Sequence, residues 1–257
     1  MTNVREKAKP YFLDAQSSTL AILIHGFTGT PNDLRELAKF LVSRGLSVKV
    51  PLLPGHGSHW ADLEKTSYFD WWKTIDDEVK QAMGKYDRIF LIGYSFGANL
   101  ALDMAARYPQ YITGVVSLGI SVFLRREFLV KLCLPFFHFF MKRYRKFYIS
   151  KERQPAYEDS GAYAIVPTKS LYDFYYFINH YTRKELGKVK TPVLVIHSRD
   201  DAVTHPMSSQ FVYDRLGTQR KELVYLDDVN HNPISSERRN LIFGRINRFV
   251  DSFEREE

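Results

Sequence analysis

Short, continuously apolar runs recur along the 257-residue chain, at 20–24, 46–50, 89–92, 112–118, 193–196 and 222–226. A strand with one solvated face alternates apolar and polar residues. Runs without that alternation belong to strands buried on both faces, the condition of a parallel sheet covered by helices. Between and after the runs lie segments with helical patterning, at 33–43, 70–83, 98–108, 208–216 and 236–253, with Asn32 or Asp33 placed to cap the first. This alternation predicts an α/β fold, with a mostly parallel central sheet flanked by helices. The rhythm breaks between about 121 and 190, an interval far longer than one crossover needs. Residues 121–190 are therefore expected to be an inserted cap subdomain, and 1–120 with 191–257 the core.

Composition bounds the function classes. Hydrophobic residues at 45% and charged residues at 25% are ordinary for a soluble globular chain, whereas 15% aromatic residues is high and suits an apolar ligand. The single cysteine, Cys133, excludes an internal disulfide and reads as a small buried hydrophobe. The first ten residues are basic but lead into no apolar core of signal-peptide length, so a cytoplasmic protein is expected. The most apolar stretch, 128–141, is interrupted by Lys131, Pro135 and His138 and falls short of the ~20 residues that span a bilayer. A net charge of +7 comes with no nucleic-acid motif, so no nucleic-acid partner is expected. The insert interleaves Phe136, Phe137, Phe139 and Phe140 with Lys142, Arg143, Arg145 and Lys146. Its aromatics either line an apolar pocket or pack the insert onto the core, and the basic residues suit peripheral contact of 128–148 with an anionic membrane.

The chemistry centres on Gly93-Tyr94-Ser95-Phe96-Gly97, which follows the apolar run 88–92 and opens the helical segment from Ala98. Strand, glycine-bracketed serine and helix in that order form a nucleophile elbow, a tight turn that exposes the serine Oγ at the mouth of a sheet. The helix points its free N–H groups and positive dipole end at the same place. Hydrolysis by serine also needs a base, an acid to orient it, and N–H donors for the oxyanion. His231 is the candidate base, because it follows the run 223–226 in a loop at the carboxyl end of a strand. The acid is sought after 193–196, where Asp200 and Asp201 compete and His205 stands too near to them to serve as the base. Gly26 and Gly29 permit a tight turn that presents the N–H of Phe27, which with the N–H of Phe96 makes a two-donor oxyanion hole. His25 reads as a brace for that turn.

Together His25-Gly26-Phe27-Thr28-Gly29, Pro54-Gly55-His56-Gly57, the elbow, Asp201 and His231 resemble the α/β-hydrolase superfamily. The 25–29 turn, the segment 55–59 and Asp70-Trp71 resemble in particular bacterial carboxylesterases and monoacylglycerol lipases. The likeness covers about 18–118 and 190–250. It implies a serine carboxylic-ester hydrolase with the triad Ser95, Asp201 and His231, acting through an acyl-enzyme without metal or organic cofactor. Asp201 is favoured over Asp200 because Ala202-Val203-Thr204 resembles the pattern that follows the acid in these hydrolases. The implied partner is a small-molecule apolar ester, either a medium-chain ester or a monoacylglycerol-like lipid. Rival readings are a thioesterase or acyltransferase, and a ligand-binding homologue without turnover. Two features depart from the resemblance: the insert matches no recognised pattern, and Phe96 with Gly97-Ala98 stands where related enzymes often carry Met followed by Gly-Gly.

Overall fold

The structure is a computed structural model that describes residues 3–125, 142–146, 149, 152, 154–232, 234 and 236–253. Its strands are β1 (Tyr11–Leu13), β2 (Thr19–Ile24), β3 (Ser47–Val50), β4 (Arg88–Tyr94), β5 (Gly114–Leu118), β6 (Arg143–Arg145), β7 (Ile165–Pro167), β8 (Val193–Ser198) and β9 (Lys221–Leu226). Seven of them form one sheet in the order β1-β3-β2-β4-β5-β8-β9, while β6 and β7 pair separately as an antiparallel two-stranded sheet. Every pairing in the large sheet is parallel except β1 with β3. The α/β architecture required by the continuous apolar runs is present, and all six residues of β2 and of β8 are buried.

The longer helices are α1 (Arg35–Ser43), α2 (Tyr68–Ala82), α3 (Phe96–Arg107), α4 (Thr168–Phe177), α5 (Met207–Arg215) and α6 (Arg239–Asp251). They cover the sheet in two layers, sorted by the two-residue period of the strands. Leu20, Ile22 and Ile24 of β2 and Ile89 and Leu91 of β4 point into a core shared with Trp71 and Ile75 of α2, and with Phe174 and Phe177 of α4. Ala21 and Leu23, with Phe90 and Ile92, point the other way, onto Leu37 and Leu41 of α1 and Ile242 and Ile246 of α6. Each such side chain contributes about 1.5–3 kcal/mol when fully buried.

The structure shifts several predicted boundaries. Residues 31–34 form a 3₁₀ turn before α1, and the Asp33 carboxylate accepts the Thr30 N–H at 3.0 Å; Asp33 therefore sits inside the turn and Thr30, not Asn32 or Asp33, occupies the cap. Likewise α2 starts two residues early, because Asp70 reaches back to the Ser67 N–H and hydroxyl, both at 2.8 Å. Edge strand β1 was not predicted; with three residues it is too short to show a period. Between β5 and β8 lie the β6–β7 pair with a short helix at Gln154–Asp159 between its strands, then α4 and a π-helical turn Ile178–Thr182 that continues α4. The expected roles of Cys133 and of most of the aromatic-basic stretch 128–148 fall outside the described residues. Among the described residues no helix is long and apolar enough to cross a membrane.

Candidate active site

Ser95 caps α3 with φ +54 and ψ −118, the left-handed backbone that throws its side chain out of the strand-to-helix turn. The two flanking glycines are sterically obligatory. A Cβ at position 93 would stand 2.3 Å from the Gly97 carbonyl oxygen, and one at position 97 would stand 2.1 Å from that of Ile24. The Ser95 N–H is tied to the Leu118 carbonyl at 2.8 Å, so the turn is anchored to β5.

Two loops at the carboxyl ends of β8 and β9 face this turn. His231 Nε2 lies 3.1 Å from Ser95 Oγ, and His231 Nδ1 lies 2.7 Å from Asp201 Oδ2. An ionised carboxylate only accepts, so Nδ1 carries the proton and Nε2 is left bare to receive the Ser95 hydroxyl proton. The Tyr94 ring, 5.4 Å from the imidazole, supports His231 from one side. Asn230 Oδ1 accepts the His231 N–H at 2.7 Å and fixes the loop that carries it.

Asp201 is 1% exposed and surrounded by donors. Its Oδ1 accepts the N–H groups of Val203 and Thr204, each at 2.8 Å, and its Oδ2 accepts the Thr204 hydroxyl at 2.7 Å. Burial by itself pushes this carboxyl up, but the His231 imidazole and these hydrogen bonds outweigh burial and hold it well below the usual carboxylate range. His197 Nε2 stands 3.4 Å from Oδ2, at ion-pair distance but out of line for a hydrogen bond. Asp200 points elsewhere and accepts the Asp228 N–H at 2.8 Å. His205 is a loop residue whose Nδ1 accepts the Met207 N–H at 3.1 Å.

On the opposite side of Ser95, the Gly29 N–H closes a turn onto the Gly26 carbonyl at 3.0 Å, with Phe27 and Thr28 at its two central positions. A Cβ at position 26 would lie 3.1 Å from Ser95 Cβ, so this turn abuts Ser95. The Phe27 N–H takes no part in closing the turn, and the Phe96 N–H opens α3, where helical N–H groups have no acceptor within the helix. His25 braces the turn: its Nδ1–H donates to the Gly26 carbonyl at 2.9 Å and its Nε2 accepts the Leu53 N–H at 3.1 Å. The Phe96 ring is fully buried and packs 5.7 Å from Trp71, 5.2 Å from Phe174 and 5.5 Å from Phe177. Its bulk is absorbed by the core, and its backbone is what remains at the site.

A family model described as serine aminopeptidase, S33, matches residues 15–238, most of the chain and all of the site residues just described. The chain belongs to that family of hydrolases. This S33 hydrolase is 28% identical over 230 residues to the thermostable monoacylglycerol lipase of Bacillus sp. (strain H-257), covering 87% of this chain and 86% of the relative. It is 24% identical over 234 residues to the carboxylesterase of Bacillus subtilis (strain 168), covering 91% and 92%. A solved structure reported for LipS and LipT, two metagenome-derived lipolytic enzymes, superposes with a TM-score of 0.86 at 24% identity over 97% of this chain and all of that one. The fold is that of an α/β-hydrolase, and the chain is a serine hydrolase by its relatives.

Three residues near the centre of this S33 hydrolase were not singled out for these roles by sequence reasoning. Ser121 Oγ lies 3.0 Å from Ser95 Oγ; since Ser95 donates to His231, the Ser121 hydroxyl is the donor of that pair. Its own carbonyl accepts Asn99 Nδ2 at 2.9 Å, and the same nitrogen reaches Thr182 Oγ1 of the π-helical turn at 3.1 Å. Thr204 stands between Asp201 and His231, its hydroxyl also 3.2 Å from His231 Nδ1. His56 accepts the Thr28 N–H on Nε2 at 3.0 Å. All three lie just past a strand, β5, β8 and β3, at the functional end of the sheet; His56 and Thr204 also fall within the 54–57 and 202–204 motifs, whereas Ser121 had its position alone.

Proposed function

We propose that this hydrolase cleaves carboxylic esters with apolar acyl or aryl groups, medium-chain esters or monoacylglycerol-like lipids, by two-step acyl transfer. The observation that carries the reading is the continuous relay from Ser95 through His231 to Asp201, at 3.1 and 2.7 Å. Ser95 Oγ attacks the ester carbonyl while its proton passes to His231 Nε2. The carbonyl oxygen becomes an oxyanion held by the Phe27 and Phe96 N–H groups, and Asp201 stabilises the imidazolium. His231 then protonates the departing alkoxide, which leaves as the alcohol. Water enters by the same path in reverse roles, releasing the acid and restoring Ser95.

The aromatic cluster behind the oxyanion donors supports an apolar substrate. Phe27 is only partly buried and stacks on Phe174 at 5.1 Å, so a hydrophobic surface borders the reacting carbon. The relatives that span most of both chains carry lipase and esterase names. Residues 121–190 act as the cap that shapes access to this surface.

The test is intact mass after treatment with a fluorophosphonate probe, in the native protein and in Ser95→Ala, followed by a panel of nitrophenyl esters, monoacylglycerols, acyl thioesters and aminoacyl anilides. One adduct, absent from Ser95→Ala, with turnover greatest on medium-chain esters supports the reading. Preference for thioesters or aminoacyl anilides replaces its substrate class, and an unlabelled protein with no turnover favours a ligand-binding homologue.

A further inference from the structure

Thr28 is the least comfortable residue of the turn that carries Phe27. It has φ +63, in the left-handed region that glycine and asparagine tolerate and a β-branched residue resists. Left to itself, this position returns to negative φ, the central Phe27–Thr28 peptide turns over, and the Gly26–Gly29 turn on which the Phe27 N–H is mounted changes shape beside Ser95. Every polar group of Thr28 is engaged to prevent this. Its N–H donates to His56 Nε2 at 3.0 Å, and its carbonyl accepts the Tyr163 N–H at 3.0 Å. Its hydroxyl donates to the Phe27 carbonyl and accepts from Lys146 Nζ.

Tyr163 and Lys146 both come from the segment between β5 and β8, so the turn is gripped from outside the core sheet. Lys146 follows β6, whose Arg143 and Arg145 are exposed, yet Lys146 is itself only 6% exposed. Its backbone N–H is fixed to the Ala164 carbonyl at 2.9 Å, and Nζ also reaches Tyr157 Oη at 3.1 Å. The half-buried carboxylate of Asp33, bound to the Thr30 N–H at 3.0 Å, faces it electrostatically. A lysine this deep is costly, since burial pushes its amine down to about 7, and an apolar side chain would fill the same space without that penalty.

We propose that Lys146 is a positioning residue for the oxyanion hole, a latch that reaches from the segment between β5 and β8 to Thr28 and holds the Gly26–Gly29 turn in its reactive shape. The proposal rests on the acyl-transfer reading of the site. Because an oxyanion exists only after attack, the latch acts on the transition state and not on the bound ester. Its loss lowers kcat and leaves KM nearly unchanged. A lysine that merely stabilised the fold would lower the melting temperature and leave the rate of the folded fraction alone.

The experiment compares native protein with Lys146→Met, Thr28→Val and the double variant. It reads the second-order rate of fluorophosphonate labelling at Ser95, kcat and KM on a short-chain nitrophenyl ester, and far-UV circular dichroism. Lys146→Met and Thr28→Val are each expected to slow labelling and kcat by about 10- to 100-fold with KM within about twofold, somewhat less than deletion of a whole oxyanion donor. The double variant is expected to be no slower than Thr28→Val alone, because Lys146 acts through the hydroxyl that Thr28→Val removes. Folded Lys146→Met with native labelling and kcat overturns the proposal, as do additive losses in the double variant. If Lys146→Met does not fold, Thr28→Val decides: native rates there overturn it. Labelling does not require that esters be the substrate, so native protein that labels at Ser95 but turns over no ester removes the ester reading and leaves this comparison intact. Native protein that does not label overturns both.

Discussion

Ser95 concentrates the demands of the site on one side chain. Its backbone is held at φ +54, its hydroxyl is shared between His231 and Ser121, and it is only 8% exposed. Ser95→Ala removes one oxygen from this arrangement and no packing, so turnover is expected to fall by at least about 10,000-fold with the melting temperature unchanged, measured by ester hydrolysis and calorimetry. Thr204 supports a finer prediction. Its hydroxyl is one of the donors that keep Asp201 ionised, and it touches His231 as well. Thr204→Val keeps the shape and removes that donor, and kcat is expected to drop by about 3- to 30-fold as the carboxylate loses a charge-assisted hydrogen bond. An unchanged kcat in Thr204→Val would assign the hydroxyl to loop structure alone.

At the scale of elements, the elbow works because β4 and α3 pass so closely that no side chain fits at their crossing. Gly97→Ala would place a methyl 2.1 Å from the Ile24 carbonyl of β2, backbone that six parallel pairings with β4 hold in place. That variant is expected not to accumulate as folded protein. Gly187→Ala is its control, since a Cβ there meets nothing within 4 Å, and its melting temperature should match the native value within about 2 °C. The six parallel strands and five of the six longer helices were readable because both-face burial and helical periodicity are written into consecutive residues, whereas β1, β6, β7 and α4 were not. The caps were not read correctly: Thr30 and Ser67 act with Asp33 and Asp70, and a sequence rich in polar residues offers several equivalent starts. The π-helical turn at Ile178–Thr182 left no signature either; Thr182 at its end is bound by Asn99, a partner 83 positions away.

The whole molecule carries a pH dependence set by groups it buries uncharged. Burial pushes His25 down to about 4, partly opposed by its bond to the Gly26 carbonyl, and burial together with the neighbouring His25 pushes His56 well down. In the unfolded chain both titrate near 6.5. The unfolded state therefore binds more protons in that window, so this stability is fully present above pH 6.5 and is lost as pH falls toward 4. Urea unfolding between pH 7 and 5 should show stability dropping by up to about 2.7 kcal/mol per pH unit, two protons at ~1.36 each, and His25→Gln should remove roughly half of the slope. Lys146 acts in a different window with the same sign. Its amine is lowered from 10.5 to about 7, so the native protein gains stability relative to Lys146→Met as pH rises from 7 toward 10.5. A difference between the two proteins that stays flat across that range would mean that Lys146 remains charged when buried.

The sequence by itself determined the architecture and the chemistry available to it. Continuous apolar runs can only be satisfied by a sheet covered on both faces, and Ser95, Asp201 and His231 each follow such a run, so the ends of strands bring them to one edge. The HGFTG and GYSFG turns were equally legible, because close approach of neighbouring atoms leaves glycine at fixed offsets. What only the tertiary structure decided is how those parts are held. Ser121 meets Ser95 across 26 positions, His56 meets Thr28 across 28, and Lys146 meets Thr28 across 118. No local pattern encodes such contacts, since a buried polar atom takes whichever partner the packed core places beside it, and in water each of these side chains is satisfied alone.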